Sequence, residues 1–282
     1  SAWQPATCSG EGGTTVPQII TAADVPFGQD SGTTALNRVK FRIADRQGNV
    51  GESGAYSVQI DTVPPQNPTT ITCPNHPPTM WSGFSQLTCQ WSGAADDVSG
   101  VAGYSIDVDQ SPSTLPAPIF ETASTDLSMP LSDGNSWYVH VRTVDEAGNA
   151  AAGSAHYGPI YIDTLPPYSE ATSPATVHVA SFTVSWSGSD HGGSGIASYD
   201  VERKEAAAGS PWQAWQTQTT ATSAVFNGVL GRTYCFRVRA RDWLGHVEEW
   251  PTYADGDTCT AISTDLTITG LEVTQAIQNL AN

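Results

Sequence analysis

The sequence predicts an all-β chain made of consecutive small β-sandwiches, the first of them incomplete. Three observations predict it. The chain repeats itself with a period near 97 residues. Its apolar segments alternate with period two, as half-buried antiparallel strands do. The segments between them are rich in Gly, Ser, Asp, Asn and Pro, which is turn chemistry, and no helical stretch exceeds two turns.

The repeat appears when the chain is laid against itself. "QWSGAADDVSGVAGYSIDV" (residues 90–108) returns as "SWSGSDHGGSGIASYDV" (185–201), so Trp91, Gly100 and Tyr104 recur as Trp186, Gly195 and Tyr199. "RIADRQGNVG" (42–51) returns as "RTVDEAGNAA" (142–151) and again as "RARDWLGHVE" (239–248). "IDTVPP" (60–65) and "IDTLPP" (162–167) follow the first two of these. Such a period is too long for a solenoid unit and suits one small sandwich.

Each element follows from its own pattern. "QLTCQW" (86–91) and "FTVSW" (182–186) alternate apolar and polar residues and read as second strands. "YSIDVD" (104–109) and "YDVER" (199–203) read as third strands, and "WYVHVRTVD" (137–145) and "YCFRVRARD" (234–242) as sixth strands. The Asp-x-x-Gly-Asn stretch after the sixth strand predicts a tight turn, in which Asp accepts backbone N–H groups and Gly or Asn takes positive φ. The paired prolines stiffen the exit from each unit. These joints divide the chain into a partial unit (1–66), a full unit (67–167), another (168–262), and a linker with the first strand of a following unit (263–282). In the partial unit "SAWQP" compares with "QAWQT" (213–217), which matches Trp3 with Trp215.

Trp186 on its strand, Tyr199 opening the next, and "LGRTYCFRVRARDWLG" (230–245) together resemble the immunoglobulin-like superfamily, most closely fibronectin type III and related bacterial surface modules. Leu230, Gly231, Thr233 and Tyr234 are similar to the approach to a tyrosine corner, where the earlier copy has Trp137. The resemblance implies tandem immunoglobulin-like sandwiches with Trp91, Trp186, Tyr104, Tyr199 and Tyr234 in their cores. It speaks to fold more than to function, because this sandwich hosts many activities. The tail "GLEVTQAIQ" (270–278) resembles the opening of a further sandwich found in large bacterial secreted or surface proteins, some with peptidase domains. With Ser1 in place of Met and no leader, the chain reads as a processed or excised piece of a longer one.

Composition narrows the function. The chain has 282 residues, 39% of them hydrophobic and only 14% charged, with a formal net charge of -17. Phosphate binding needs a basic stripe, and eleven Lys and Arg spread thinly provide none, so nucleic acid is not an expected partner. The same charge disfavours anionic lipid, and no apolar run approaches the roughly 20 residues that span a bilayer.

None of the five cysteines forms a Cys-x-x-Cys pair, which argues against zinc. Pairing within units predicts Cys73–Cys89 and Cys235–Cys259, leaving Cys8. Each bridge is worth roughly 3 kcal/mol in the chain-entropy model and implies an oxidising, extracellular or cell-surface setting.

The loop 185–201 carries His191 and Ser194, but its sister copy carries Asp97 and Ser99, so the histidine is not kept with the frame. No Gly-x-Ser-x-Gly elbow or His-Glu-x-x-His pair is present, and no catalytic residue is expected. Asp96, Asp97, Asp109 and Asp190 gather around equivalent loops and strands. They are candidate calcium ligands, since calcium takes six to eight oxygens from irregular loops, although shaping turns is the commoner use of such residues. No cofactor is required by the fold. Nine tryptophans raise the question of a sugar platform, with packing as the simpler use.

The function expected from these readings is a non-catalytic structural or adhesive segment of an extracellular bacterial protein. Its partners would be other domains of the same long chain, other copies of itself, surface proteins or glycans. One alternative is an accessory region of a secreted peptidase or glycanase. Another is a filament subunit completed by a strand from a second chain.

Overall fold

A computed structural model describes residues 7–9, 19–21, 26–28 and 37–264. The expectations for Trp3, the Cys8 side chain and the tail beyond Thr264 lie outside the described residues. All regular structure among the described residues is strand. The early strands are β1 (Thr7–Ser9), β2 (Ile19–Thr21), β3 (Asn37–Val39), β4 (Arg42–Ala44), β5 (Val50–Glu52) and β6 (Tyr56–Val58). They pair antiparallel as β1 with β2, β3 with β6 and β4 with β5. Ile43, Val50 and Tyr56 are all exposed here, and among the described residues the buried side chains before Cys73 are Pro65 and Pro68.

Two full sandwiches come next. The first uses β7 (Thr70–Thr72), β8 (Trp81–Ser82), β9 (Gln86–Ser92), β10 (Val101–Asp109), β11 (Asp126–Pro130), β12 (Gly134–Asp145) and β13 (Ala155–Ile162). Its sheets run β11-β9-β7 and β10-β12-β13-β8. The second uses β14 (Tyr168–Thr172), β15 (Thr176–Val177), β16 (Ser181–Ser189), β17 (Ile196–Glu205), β18 (Gln213–Thr219), β19 (Ser223–Asn227), β20 (Thr233–Asp242) and β21 (Thr258–Ile262). Its sheets run β14-β16-β19 and β15-β21-β20-β17-β18. A three-stranded sheet paired with a larger one, in largely antiparallel ladders, is the immunoglobulin-like plan. The chain is therefore all-β, with immunoglobulin-like sandwiches in tandem.

By compactness the chain divides into two units. One is Ser1–Thr72 with Cys89–Leu127 and Tyr138–Tyr157; the other is Cys73–Thr88 with Ser128–Trp137 and Gly158–Asn282. In the first, Trp91 from β9 meets Tyr104 from β10 edge to face at 5.4 Å, both buried. In the second, Phe182, Val184 and Trp186 point inward from β16 against Tyr199, Val201, Phe226, Phe236 and Val238. The alternation is strict because successive side chains leave a strand on opposite faces. Each such large side chain stabilises by roughly 1.5–3 kcal/mol on burial. The Trp186 indole N–H also donates to Ala221 O at 2.7 Å, which removes the penalty of burying it. Cys235 is bonded to Cys259, at facing positions of β20 and β21. Cys73 and Cys89 are disulfide-bonded and buried.

One irregularity recurs in both full sandwiches. β10 slips register against β12 between Val101 and Gly103, and β17 slips against β20 between Ile196 and Ser198. In both copies the first residue of the slipped strand sits opposite an aspartate, Asp145 or Asp242. The bulge thus starts where the tight turn after the sixth strand begins.

Candidate metal centres

The tight turn is built alike three times. The Asp45 carboxylate accepts the Asn49 N–H at 2.8 Å and its side-chain amide at 2.7 Å. Asp145 does the same for Asn149, at 2.7 and 2.8 Å. Asp242 accepts the His246 N–H at 2.8 Å and meets His246 Nδ1 at 2.7 Å. A carboxylate is acceptor-only, so Nδ1 of His246 is the donor there. Gly48, Gly148 and Gly245 have φ of 86°, 88° and 94°, so the turn needs glycine at that place. Asn49 holds the Asp45 carboxyl below its ordinary range through these bonds.

The loop after the second strand brings a second aspartate. Asp96 Oδ1 accepts the N–H groups of Val98, Ser99 and Gly100 at 3.0, 2.9 and 2.8 Å. Asp190 in the next copy accepts the Gly195 N–H at 2.6 Å. Burial, then the nearby charges of Asp163 and Asp242, push the Asp190 carboxyl above its ordinary range.

The proline exit brings the third. Asp61 accepts the Ser99 N–H at 3.0 Å, and Asp163 accepts the Ser194 N–H at 2.7 Å. Two groups of convergent donors result: Asp61 with Asp96 and Asp145, and Asp163 with Asp242 and His246. In each, one ligand atom per residue lies within 4.8 Å of the others. Asp145, Asp163 and Asp242 are 2%, 2% and 1% exposed, and an isolated carboxylate at such depth is costly unless a cation or donors meet it. The Oγ atoms of Ser99 and Ser194, whose amides bind the exit aspartates, are buried without a hydrogen-bond partner.

The expected calcium ligands are distributed differently from the sequence reading. Asp96 is in the first group, and Asp190 stands beside the second. Asp97 is exposed and in neither. Asp109 lies elsewhere, bonded to Thr114 Oγ1 at 2.5 Å and facing His140 Nε2 at 3.2 Å. Asp61, Asp145, Asp163, Asp242 and His246 are donors that the sequence reading assigned only to turns and exits. Their signal was the recurrence itself, since both "Asp-x-x-Gly-Asn" and "Ile-Asp-Thr-x-Pro-Pro" return at one period.

His191 and Ser194 form no couple: the Ser194 hydroxyl has no partner, and His191 is exposed with φ of 48°. Trp212 and Trp250, within residues 168–262, form a ladder with cations. Arg237 lies 4.5 Å from both the Trp212 and Trp250 rings, Arg239 lies 4.6 Å from Trp250, and Lys204 lies 4.9 Å from Trp212. Arg237 and Arg239 are two residues apart and so share one strand face, from which both guanidinium groups reach the Trp250 ring. Glu202 and Asp200 pair with these arginines. Trp212 and Trp250 thus pack against cations; Trp243, 71% exposed, is outside the ladder.

No family model matches the chain. Over 243 residues, 82% of the chain, it is 31% identical to exoglucanase B of Cellulomonas fimi. Over 197 residues, 66% of the chain, it is 28% identical to endoglucanase B of the same organism. The two matches overlap on this chain. They cover 21% and 17% of those proteins, so the chain spans about a fifth of the length of the curated relatives it matches. Among solved structures it is similar to a crystal structure of a run of titin domains, with a TM-score of 0.33 and 17% identity, covering 79% of this chain and 72% of that one.

Proposed function

We propose that the chain is a non-catalytic accessory region of an extracellular glycan-degrading protein, in which tandem sandwiches space and hold other units. One observation carries this reading. Relatives named for two different actions, an exoglucanase and an endoglucanase, share overlapping sequence with this chain over only a fifth of each. A stretch common to both fits a part that positions rather than reacts. This favours an accessory region of a hydrolase over a surface adhesin. The disulfides fit an oxidising, extracellular setting. In this reading the modules run 1–66, 67–167 and 168–262, and 263–282 leads into a following unit.

The test is direct. The purified chain, incubated with soluble β-glucan, releases no reducing ends above a buffer control. Release that scales with chain concentration overturns the reading.

The two aspartate groups have a use in such a region: each binds a divalent cation, calcium first, and so fixes the exit segment against the tight turn of the module that follows it. What supports this is that the construction occurs twice with the exit aspartate included. Each carboxylate has about four lone-pair directions, of which backbone N–H groups use only some. A ligand bound only by the folded state raises stability, by about 2.7 kcal/mol at one hundred times its dissociation constant. Melting with calcium and with chelator checks it. The midpoint rises with calcium; identical midpoints contradict cation binding.

A further inference from the structure

Away from these groups, we propose that His140 and His156 form a two-histidine site for a tetragonal transition-metal ion, Cu²⁺ above all. His140 sits on β12 and His156 on β13, neighbouring strands of one sheet. Their Nδ1 atoms face each other at 2.6 Å, with the rings tilted at 76°. Two imidazoles in adjacent positions of a square plane, each about 2.0 Å from the metal, place their nitrogens about 2.8 Å apart. The observed separation is a few tenths of an ångström short of that. A tetrahedral ion would need about 3.3 Å at the same bond length.

The surroundings are those of a prepared ligand. His140 is fully buried, and its Nε2 meets Asp109 Oδ1 at 3.2 Å. Asp109 is itself held by the Thr114 hydroxyl at 2.5 Å and the Ser111 N–H at 2.7 Å. Since the carboxylate only accepts, Nε2 of His140 carries the hydrogen and Nδ1 keeps its lone pair. A carboxylate on the far nitrogen is how metal-bound histidines are commonly oriented. Tyr138 stacks along the same ring at 6.3 Å.

His156 is exposed, so an ion and its waters have entry. Without metal, His156 donates Nδ1–H to His140. Binding moves that proton to Nε2 of the same ring, which turns both Nδ1 lone pairs to the ion without net proton release. Waters complete the plane. Copper has the highest affinity for nitrogen sites among first-row divalent ions. This site is independent of the oxygen-rich groups described above and of the accessory reading.

The full chain, stripped of metal with chelator and dialysed, is titrated with CuCl₂ and followed by electron paramagnetic resonance. One equivalent shows superhyperfine splitting from two nitrogens. His156→Gln, an exposed change, removes that equivalent, and the metal-free variant still unfolds in one cooperative transition. Asp109→Asn keeps the two-nitrogen signature and weakens affinity by about 10–100-fold. The proposal fails if the wild-type chain shows no two-nitrogen signal, if His156→Gln retains it, or if equimolar Zn²⁺ displaces the copper.

Discussion

The two aspartate groups are copies of one construction that differ at two places: the loop aspartate, Asp96, belongs to the first while Asp190 stands beside the second, and His246 joins the second. In the first, Asp61, Asp96 and Asp145 offer only oxygen, and Asn149 braces Asp145. In the second, Asp163 and Asp242 are joined by His246, which braces Asp242 through Nδ1 as the asparagine does through its amide. The bracing bond is kept, while the remaining side-chain atom changes from an amide oxygen to an imidazole nitrogen. The second group is also deeper: Asp163 and Asp242 are buried and His246 is half-buried, whereas in the first Asp145 alone is buried and Asp61 and Asp96 are half-buried. The backbone of the turn therefore depends on Asp and Gly, and the donor set can diverge without disturbing it. Oxygen alone suits calcium; a nitrogen in the set admits borderline ions as well.

The largest effects concern the frames that carry the two groups. Trp91→Ala and Trp186→Ala each empty a core and cost about 3–5 kcal/mol, measured by urea unfolding. If one costs less than about 1 kcal/mol, that copy is not organised around its indole. Next come the turns. Asp145→Ala removes two bonds to a charged group, roughly 3 kcal/mol at about 1.5 each. Asp242→Ala likewise removes two bonds, and each substitution relieves repulsion with neighbouring aspartates, so in chelator the two cost alike. A difference above about 1.5 kcal/mol breaks the comparison.

A smaller effect lies outside both groups. Asp257 accepts the Val238 and Ala171 N–H groups at 2.9 and 3.2 Å. Burial first, and then the charges of Glu248 and Glu170, raise its carboxyl above 3.8. The folded state therefore takes up this proton at higher pH than the unfolded chain does. That stabilisation is complete below 3.8 and is lost as pH rises through the raised value. Asp257→Asn keeps the bonds without the charge, so the wild type gains stability relative to it on acidification. A gap between the two that is flat with pH contradicts this. The smallest effect is His246→Asn, which restores the residue of the other two turns and changes stability by no more than about 0.5 kcal/mol. It raises the calcium affinity of the second group; a loss of calcium affinity contradicts the donor argument.

The strands were legible because one face of each is buried, which imposes a period of two: Leu87, Cys89 and Trp91 all fall inside as their alternation predicts. The turns were legible because Asp, Gly and Asn have local reasons to stand where they do. The metal groups were only half legible. Asp96 and Asp190 look promising by crowding, yet the residues that meet them, Asp61 and Asp163, lie 35 and 27 positions away along the chain. Only the register slips and the proline exits close that distance. Asp109 looked like a companion of Asp96, but alternation along β10 and pairing with β12 carry it to His140 instead. The histidine pair had no sequence signal, because sixteen residues separate its members and neither recurs at the repeat.

Counting calcium ions by native mass spectrometry, on the metal-stripped chain and on Asp145→Asn and Asp242→Asn after calcium is returned, tests the paired construction most directly. The account predicts that each substitution removes one ion and leaves the other in place. Equal counts in all three proteins would contradict it.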